Sequence, residues 1–451
     1  MPSPVPVVER PRRSAPSRRK VVVATGAGQV IEWFDWTLYA AFAPYFAGQF
    51  FAEGAGGSDG LLAAFGIYAI GFFFRPLGGV LFGHLADRFG RSLIFNLTVL
   101  MMAAGSLLIA VLPTYDSIGI AAPIILLLAR VIQGLSAGGE MPASTALVTE
   151  AVPGRRRAFY SSTIFVGVGI GVLLASLLGW ILTTVLTDQQ VMEYGWRIAF
   201  GAGALIGLYA LVLRRSLHAE EPAHITVPKA EQAEQAEPPA TAPRAKTGIV
   251  QGLVTLFRTE PRGVLRVIGF GIGGTVSFYT VTVYMPTYLK LEVGMGSSTA
   301  FMVNCIALAL YSLLPPFTGL LSDRMGRRPV MGFSSLALAI VLVPLTSMLS
   351  SSVAVTLPIL LVFVVLLTGF HGPFPALMSE QFSPELRGLG IGIAYSLVTA
   401  AFGGTATYLA TWLAEAGNSM WYFGYVALTA LIATVCYFTM PETAEGREPR
   451  V

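Results

Sequence analysis

Long apolar segments, separated by short charged turns, follow one another from about residue 21 to about residue 440. A helix of about 20 apolar residues is long enough to cross the hydrocarbon layer of a bilayer. The pattern therefore predicts an all-α membrane protein with twelve transmembrane helices, each bounded to within about three residues. The predicted helices lie near residues 21–51, 61–84, 92–112, 119–150, 158–187, 194–216, 263–290, 298–321, 329–349, 353–381, 388–414 and 418–440.

The longest polar stretch lies between the sixth and the seventh segment. Its centre, residues 230–239, is rich in Ala, Glu, Gln and Pro, a composition typical of a flexible linker. Residues 247–258 could form a short amphipathic helix on the membrane surface. The predicted domains are a cytoplasmic tail at 1–20, an N-terminal six-helix bundle at 21–216, a cytoplasmic linker at 217–262, a C-terminal six-helix bundle at 263–440 and a cytoplasmic tail at 441–451.

A charged turn occurs twice in the chain. Residues 83–92, after the second segment, and residues 319–328, after the eighth, both contain Gly, three further residues, Asp-Arg, one residue and Gly-Arg. The shared spacing indicates two repeats, as in transporters whose substrate site lies between the repeats. We interpret the turns as a cytoplasmic latch, with charges that pair in one conformation and separate in another; the alternative is a pair of solvated turns. The latch residues would be Asp87, Arg88, Arg91, Asp323, Arg324 and Arg327.

Charged residues make up 12% of the 451 residues and hydrophobic residues 54%, whereas soluble domains carry about 25% charged residues. The formal net charge is +4, but its distribution excludes a nucleic-acid-binding surface. Of the 29 Lys and Arg residues, 25 lie in the tails and in alternate loops, as the positive-inside rule requires of cytoplasmic segments. Both termini are therefore expected in the cytoplasm. Only Arg197 and Lys290 fall in predicted outer loops, while Arg75 and Arg130 lie inside apolar segments.

Three acidic residues inside apolar segments are candidates for proton coupling. Glu32 and Asp35 are three positions apart in the first segment, so a helix places them on one face. A charge at that depth costs about 2.5–3.5 kcal/mol on insertion scales and marks a cavity or an ion pathway, and a buried carboxyl group can hold a proton near neutral pH. Glu140, nearer the cytoplasmic end of the fourth segment, is the third candidate. The alternative is structural: a pair that locks the first helix, and a packing role for Glu140.

Two arginines inside apolar segments are candidates for substrate binding. Arg130, near the middle of the fourth segment, needs an acid or an anionic substrate as its partner, and Asp35 and Glu32 are the internal candidates. Arg75 lies roughly 12 Å from the predicted cytoplasmic surface, at about 1.5 Å per residue. It therefore either binds a carboxylate or extends its side chain to the interface.

Three further polar residues could contact a substrate. Tyr279 and Tyr395 lie deep in the seventh and eleventh segments, and His371 lies in a stretch of the tenth that is rich in Gly and Pro. His371 could relay protons or contact an anion, or it could bind a backbone carbonyl freed by the neighbouring prolines. Metal-ligand spacings, phosphate loops and nucleophile motifs are absent from the sequence. We therefore expect a protein that is not an enzyme and that uses no metal and no cofactor.

The repeated turn resembles the signature of the major facilitator superfamily, Gly-x-x-x-Asp-Arg/Lys-x-Gly-Arg-Arg/Lys, and departs from it only at Ser92. Other stretches are similar to the metabolite:proton symporter family, and two of them resemble its alpha-ketoglutarate permeases and citrate–proton symporters. The Gly-Pro motif of the superfamily's antiporters is missing from the fifth segment. The family stretches are residues 30–35, 74–79, 130–140 and 194–198, and those of the branch are residues 278–288 and 401–404.

The resemblance implies a proton-coupled symporter of the cell inner membrane that imports an organic acid, such as alpha-ketoglutarate or citrate, by alternating access. Arg75 and Arg130 would then bind substrate carboxylates. We expect a monomer in the lipid bilayer, with protons as the coupling ion and sodium as the alternative. Other possible functions are a proline or betaine symporter, an exporter of drugs or metabolites, and a transporter-like sensor that binds without transport. Osmosensing relatives carry a long C-terminal coiled coil, whereas few residues follow Met440 here.

Overall fold

The structure is a computed structural model that describes residues 18–51, 58–89, 91–219 and 249–444. Within these ranges the chain is helical and forms no strand. Most of the predicted linker and of both predicted tails lies outside them. The helices of the N-terminal half are α1 (Arg18–Phe50), α2 (Ser58–Phe73 and Arg75–Phe89), α3 (Arg91–Val111), α4 (Ala121–Ala137 and Glu140–Ala151), α5 (Gly154–Val185) and α6 (Trp196–Ala219). Those of the C-terminal half are α7 (Pro261–Leu291), α8 (Ser297–Leu313 and Pro315–Met325), α9 (Arg327–Thr346), α10 (Val353–His371 and Phe374–Glu380), α11 (Arg387–Glu415) and α12 (Ser419–Thr439).

Length and hydropathy fit a membrane-crossing role for these helices. Eight are long and apolar enough to span a bilayer singly, and α8 qualifies as a pair bent by 40°. The other three are α1, which carries Glu32 and Asp35, α3, which is apolar over Asn96–Val111, and α6. Each predicted apolar segment corresponds to one of the twelve helices. The prediction of an all-α membrane protein with two six-helix bundles is therefore confirmed.

Four of the helices are interrupted where the sequence holds Gly or Pro. The breaks lie at Phe74 in α2, Gly138–Gly139 in α4, Leu314 in α8 and Gly372–Pro373 in α10. Proline has no backbone N–H and cannot continue the helical hydrogen-bond pattern. Irregular backbone at membrane depth is tolerated where it is buried in protein or lines a cavity, so these breaks mark the interior of the bundle.

A short helix, Ile249–Thr259, precedes α7 where the amphipathic segment was predicted. Its Leu256 is buried, while Val254 and Phe257 are exposed. The helix is followed by Glu260, whose carboxylate accepts the backbone N–H of Ser383 at 3.2 Å. This contact fixes the start of α7 to the turn between α10 and α11.

Helices α2 and α4 approach each other backbone to backbone. A Cβ atom added to Gly78 would overlap the backbone of Leu135, and one added to Gly138 would overlap the backbone of Arg75. Residues without a side chain permit such close approach of membrane helices. As a result, Arg75 and Arg130 project from two helices in direct contact.

The two halves meet along α5 with α8 and along α2 with α11. The end of the molecule that carries both charged turns is called the Asp-Arg end below. There, the carboxylate of Asp323 on α8 accepts the backbone N–H groups of Ala158 at 3.2 Å and Phe159 at 2.9 Å, both at the start of α5. One acidic side chain of the C-terminal half thus holds the backbone of the N-terminal half.

Two ion pairs cross the interface at the same end. Arg157 on α5 lies 3.6 Å from Glu380 on α10, and Arg387 on α11 lies 3.5 Å from Glu150 on α4. Glu380 also pairs with Arg327 at 3.1 Å. Charges from both halves therefore close the Asp-Arg end in this conformation.

The second charged turn forms a connected cluster. Arg327 pairs with Asp323 at 2.7 Å, and Gly326, between α8 and α9, has a φ of +109°, a conformation that favours glycine. The carboxylate of Glu442, which follows α12, accepts the backbone N–H of Arg327 at 2.8 Å, so that an anion lies at the N-terminus of α9. Arg324 is exposed.

Less of the first charged turn is described. The side chains of Asp87 and Arg91 lie outside the described residues, and Arg88 is exposed. The latch assigned to the six turn residues therefore stays a prediction. Its structural support is the set of contacts made by Asp323 and Arg327.

Contacts also join the halves at the opposite end. The hydroxyl groups of Thr184 and Ser298 are 2.7 Å apart. Asp188, between α5 and α6, lies 3.6 Å from Lys290 on α7 and accepts a hydrogen bond from Ser297 on α8 at 3.1 Å. Each end of the molecule thus carries polar contacts between the halves.

Gly78→Ala should destabilise the protein, because the added methyl group must displace the backbone of α4. Overpacking of this kind costs about 1–3 kcal/mol, which should lower the midpoint of thermal unfolding in detergent, followed by tryptophan fluorescence. Gly48→Ala on α1 is the matched control, since a Cβ atom there has nothing within 4 Å. Equal midpoints for the two variants would contradict the close contact.

Asp323→Asn should loosen the Asp-Arg end, because the amide cannot pair with Arg327. Cysteines are placed at the exposed positions Arg156 and Glu385 in a protein without its native cysteines, and each is labelled with a nitroxide. Double electron–electron resonance then measures the distance between the two labels and thus the separation of the halves. We expect longer and broader distances than in the parent protein. Asp116→Asn, an exposed acid at the opposite end, is the control. If Asp323→Asn left the distances unchanged, the latch interpretation would be wrong.

Candidate functional site

Two pairs of opposite charges lie side by side near the middle of the N-terminal half. The guanidinium of Arg75 on α2 donates to a carboxylate oxygen of Glu32 on α1. Asp35, almost one turn further along α1, lies 3.7 Å from Arg130 on α4. All four residues are at most 4% exposed. A buried charge without a partner is strongly destabilising, so each arginine can be buried because a carboxylate lies beside it, and each carboxylate because of its arginine.

This pairing decides between interpretations that the sequence left open. Arg75 does not extend to the membrane interface, because its side chain is buried and held by Glu32. Of the two partners expected for Arg130, Asp35 is found and Glu32 is bound elsewhere. The two acids therefore serve different arginines although they lie on one face of α1.

The two acids also differ in how completely they are bound. Asp35 accepts hydrogen bonds from Ser106 on one oxygen and from Gln133 at 2.7 Å on the other. Gln133 in turn accepts a hydrogen bond from Arg130 at 2.7 Å. Glu32, by contrast, has one carboxylate oxygen, Oε2, without a hydrogen-bond partner in the described part of the chain. Asp35 belongs to a closed network, whereas Glu32 retains an unused acceptor.

Aromatic rings surround both guanidinium groups. The Arg130 guanidinium carbon lies 4.1 Å from the ring centre of Tyr39 and 4.5 Å from that of Trp36. That of Arg75 lies 5.3 Å from the ring of Phe72 and 5.4 Å from Trp36. A cation over an aromatic face is stabilised by the negative potential of the ring. Trp36 thus forms a wall shared by the two arginines.

Several donors of these arginines are buried and unused. An unsatisfied buried donor costs roughly 1–3 kcal/mol, and such groups in native proteins normally bind water, an ion or another group. Arginine has donors only, so the unused positions fit an acceptor such as a carboxylate. Among the described residues, the site atoms without a hydrogen-bond partner are Arg75 Nη1, Arg130 Nε and Nη2, Glu32 Oε2 and Tyr279 Oη.

Tyr279 belongs to the C-terminal half and packs beside this cluster. It begins a π-helical segment of α7, residues 279–284, and its ring lies 5.8 Å from that of Trp33 and 5.5 Å from that of Phe72, both in the N-terminal half. Tyr279 and Tyr395 lie within electrostatic range of Arg75. The structure therefore brings four predicted site residues together at the interface of the halves: Glu32, Arg75, Tyr279 and Tyr395.

His371 lies apart from the arginines but on the same interface. Its Nδ1 is 2.7 Å from the Tyr311 hydroxyl and its Nε2 is 3.2 Å from the carbonyl oxygen of Gly274. Its ring stacks on Phe165 of the N-terminal half with 4.7 Å between centres. This geometry matches one of the alternatives predicted from the sequence, in which the His371 imidazole binds a backbone carbonyl group. The described residues contain no group of three or more His, Cys, Asp or Glu arranged to hold a metal ion.

Glu140 lies beside α1 at the start of the second part of α4. A Cβ atom added to Gly28 would overlap its carboxylate. Gly28 is four residues, about one helical turn, from Glu32, on the side towards the Asp-Arg end. Glu140 therefore lies next along α1 after the charge pairs, and its coupling role stays a prediction.

Sequence reasoning missed four residues of the site: Ser106, Gln133, Trp36 and Tyr39. Gln133 follows Arg130 by three positions, and a polar residue at that spacing on an apolar helix was a usable signal. Trp36 and Tyr39 gave no signal, because aromatic residues are common in membrane helices. Ser106 carries no signal in the sequence, since serine is common in membrane helices.

The sequence matches the family described as "Sugar (and other) transporter" over residues 20–447. The alpha-ketoglutarate permease of Escherichia coli K12 is 36% identical over 438 residues, which cover 96% of each chain. The proline/betaine transporter of the same organism is 31% identical over 94% of this chain and 84% of its own length. The putative proline/betaine transporter of Staphylococcus aureus is 33% identical over 88% of this chain and 83% of its own length.

Solved structures show the same fold. A D-xylose-proton symporter superposes with a TM-score of 0.70 at 19% identity, covering 95% of this chain and 99% of that one. The partially occluded, inward-open xylose transporter of E. coli gives a TM-score of 0.69 at 17% identity, with the same coverage. The relatives are permeases, transporters and symporters, so the protein is a membrane transporter and not an enzyme. Matched along nearly its whole length, the chain belongs to the sugar (and other) transporter family of the major facilitator superfamily.

Proposed function

We propose that this transporter is a proton-coupled symporter that imports an organic acid with two or three carboxylates by alternating access. The observation that carries the proposal is the pair of buried arginines, which are held by carboxylates and still have unused donors. Arg75 lies at the interface of the halves, because the Phe72 ring beside it packs against the ring of Tyr279 from the C-terminal half. The space between two repeats is where such transporters bind their substrate.

Competition between carboxylates gives a physical route to coupling. While Glu32 is ionised, it occupies Arg75 and repels an incoming anion. When Glu32 takes up a proton, Arg75 becomes a buried cation without a partner, which costs several kcal/mol. A substrate carboxylate removes that cost, so proton and anion are expected to bind together.

Glu32 suits the proton-carrying role better than Asp35. Asp35 is held by Ser106, Gln133 and Arg130, so protonation would disrupt several bonds at once. Among the described residues, Glu32 has Arg75 as its one partner and keeps an oxygen without a hydrogen bond. We therefore assign Glu32 to the proton and the Asp35 network to positioning Arg130.

Arg130 is the candidate for a second substrate carboxylate. Its Nε and Nη2 atoms have no hydrogen-bond partner among the described residues, and the Trp36 ring contacts both guanidinium groups, with its centre 4.5 Å from that of Arg130 and 5.4 Å from that of Arg75. A planar guanidinium offers a bidentate fork to carboxylates. The similarity to an alpha-ketoglutarate permease, which is named for a dicarboxylate, supports this class of substrate.

A zwitterionic osmolyte is the second candidate substrate. The relatives from E. coli and S. aureus described above include transporters named for proline and betaine, and aromatic rings bind quaternary ammonium groups. Trp36, Tyr39 and Phe72 already face arginines. The rings left for such a ligand are Trp33, Phe278 and Tyr279, which lie against one another. This arrangement makes the osmolyte the weaker candidate.

Uptake into proteoliposomes tests the proposed function. An inward proton gradient, in sodium-free buffer, should drive accumulation of radiolabelled alpha-ketoglutarate or citrate, and a proton uncoupler should abolish it. Betaine and proline should not be accumulated. Accumulation of betaine or proline alone would refute the organic-acid proposal, and a strict requirement for sodium would refute proton coupling.

Glu32→Gln should uncouple transport without abolishing binding, because the amide resembles the protonated acid. We expect loss of gradient-driven accumulation with substrate counterflow retained at a rate within a few-fold of the parent. Asp35→Asn should lower both activities, since it weakens the network around Arg130. Asp59→Asn, an exposed acid at the opposite end, is the matched control. Retention of gradient-driven accumulation by Glu32→Gln would exclude Glu32 as the coupling residue.

A further inference from the structure

A pocket with a lysine lies at the end of the molecule opposite the charged turns. It is lined by α1, α7 and α8, is partly open to solvent and has room for about one water molecule, so it spans the interface of the halves. Its polar lining consists of Tyr45 from α1, Thr287 and Lys290 from α7 and Ser297 from α8. On the predicted topology this is the outer face of the membrane, where a substrate enters.

Lys290 is enclosed by protein but weakly bound. Its ammonium group lies 3.8 Å from the ring centre of Tyr45, and its side chain is 22% exposed. The nearest carboxylate oxygen, on Asp188, is 3.6 Å away, longer than a charge-assisted hydrogen bond of about 2.7–2.9 Å. The Asp188 side chain is 54% exposed, and pairs with such an exposed partner are worth only about 0–1 kcal/mol. An anion entering the pocket can therefore displace Asp188 at little cost.

The other predicted outer cation shows what a fully used charge looks like. Arg197 donates to the backbone carbonyl oxygens of Ala110 at 3.3 Å and Leu112 at 2.7 Å. These bonds cap the C-terminal end of α3, so the Arg197 charge has a structural role. Lys290 makes no comparable bond to a carbonyl group in the described chain, and it points at a pocket whose other polar groups are hydroxyls.

We propose that Lys290, together with the hydroxyl groups of Thr287 and Ser297, forms an outer docking site for a carboxylate. The anion replaces Asp188 on Lys290. Because Asp188 belongs to the N-terminal half and Lys290 to the C-terminal half, the exchange also releases one tie between the halves. On the predicted topology the site lies on the outer side of Arg75 and Arg130, so it concentrates the anion before the central site opens. The identity of the anion rests on the proposed function; the geometry of the site does not.

Opposite effects of two substitutions test the docking site against a purely structural ion pair. Lys290→Gln should raise the KM for a dicarboxylate about tenfold, the loss expected for one charged hydrogen bond. Asp188→Asn should lower the KM by up to about fivefold, because it removes the charge that competes for Lys290 and leaves Ser297 on a neutral acceptor that an anion displaces more easily. Glu193→Gln removes an exposed acid near Asp188. It controls for the change in electrostatic potential around the pocket and should leave the KM unchanged. A structural ion pair predicts that both substitutions change the KM in the same direction, which would overturn the proposal.

Chemical modification of Lys290 gives a readout that does not depend on transport. A membrane-impermeant amine reagent acylates Lys290 in proteoliposomes, and peptide mass spectrometry follows the rate. Alpha-ketoglutarate or succinate should slow the reaction several-fold, and betaine should not. The protection should persist in the double variant Glu32→Gln, Arg75→Gln, whose central pair is removed without leaving a buried charge. Absence of protection, or its loss in the double variant, refutes the docking site. Protection without any uptake by the parent protein refutes the symporter function and leaves the docking site standing.

Discussion

A guanidinium group in the middle of a membrane protein must have an anion beside it, and this requirement organises the N-terminal half. Moving an ion of this size into a medium of low dielectric costs several kcal/mol even after the protein relaxes. Arg75 and Arg130 satisfy the requirement with Glu32 and Asp35. Helix α1 supplies both acids, the glycine contact between α2 and α4 brings the arginines together, and Trp36 fills the space between them.

The charges at the ends of the molecule obey the same rule under weaker constraint. At the Asp-Arg end, Arg387 and Glu150 have side chains 13% and 54% exposed, so water can replace either partner. Exposed ion pairs of this kind contribute little to stability, and water readily replaces one partner. The central pairs are buried and have no bulk water beside them. The exposed pair can therefore separate and re-form in water, whereas Arg327, Asp323 and Glu380 at the same end are 1–5% exposed and, like the central pairs, depend on one another.

The sequence sufficed for the fold and for the charged part of the site. The twelve helices, the repeated turn and the buried positions of Glu32, Asp35 and Arg130 follow from apolar length and from the cost of an ion in hydrocarbon, whereas the sequence left Arg75 between a buried and an interfacial position. It did not suffice for the pairing, because helical periodicity puts Glu32 and Asp35 on one face without saying which neighbouring helix each one meets. That assignment depends on the rotation of α2 and α4, which their glycine contact fixes.

The partners of the charges were less accessible to sequence reasoning for the same reason. Ser106 reaches Asp35 only because α3 packs beside α1, a contact between residues 71 positions apart. His371 shows the reverse case. Proline residues beside it indicated a freed carbonyl group, and a carbonyl group does bind it, but that of Gly274 on another helix.

The π-helical segments at residues 279–284 of α7 and 399–403 of α11 have a consequence for how cargo can change. Each holds one more residue in a turn than an α-helix does, so every side chain beyond it is rotated by about 100° from an uninterrupted helix. Both segments belong to the half without the central charges, and Gly403 of one packs against Tyr279 of the other. Deleting or adding one residue there would turn a new set of side chains toward the arginines. A change of one codon there alters the contacts that the C-terminal half makes at the site, and it leaves the N-terminal half with the buried charges untouched.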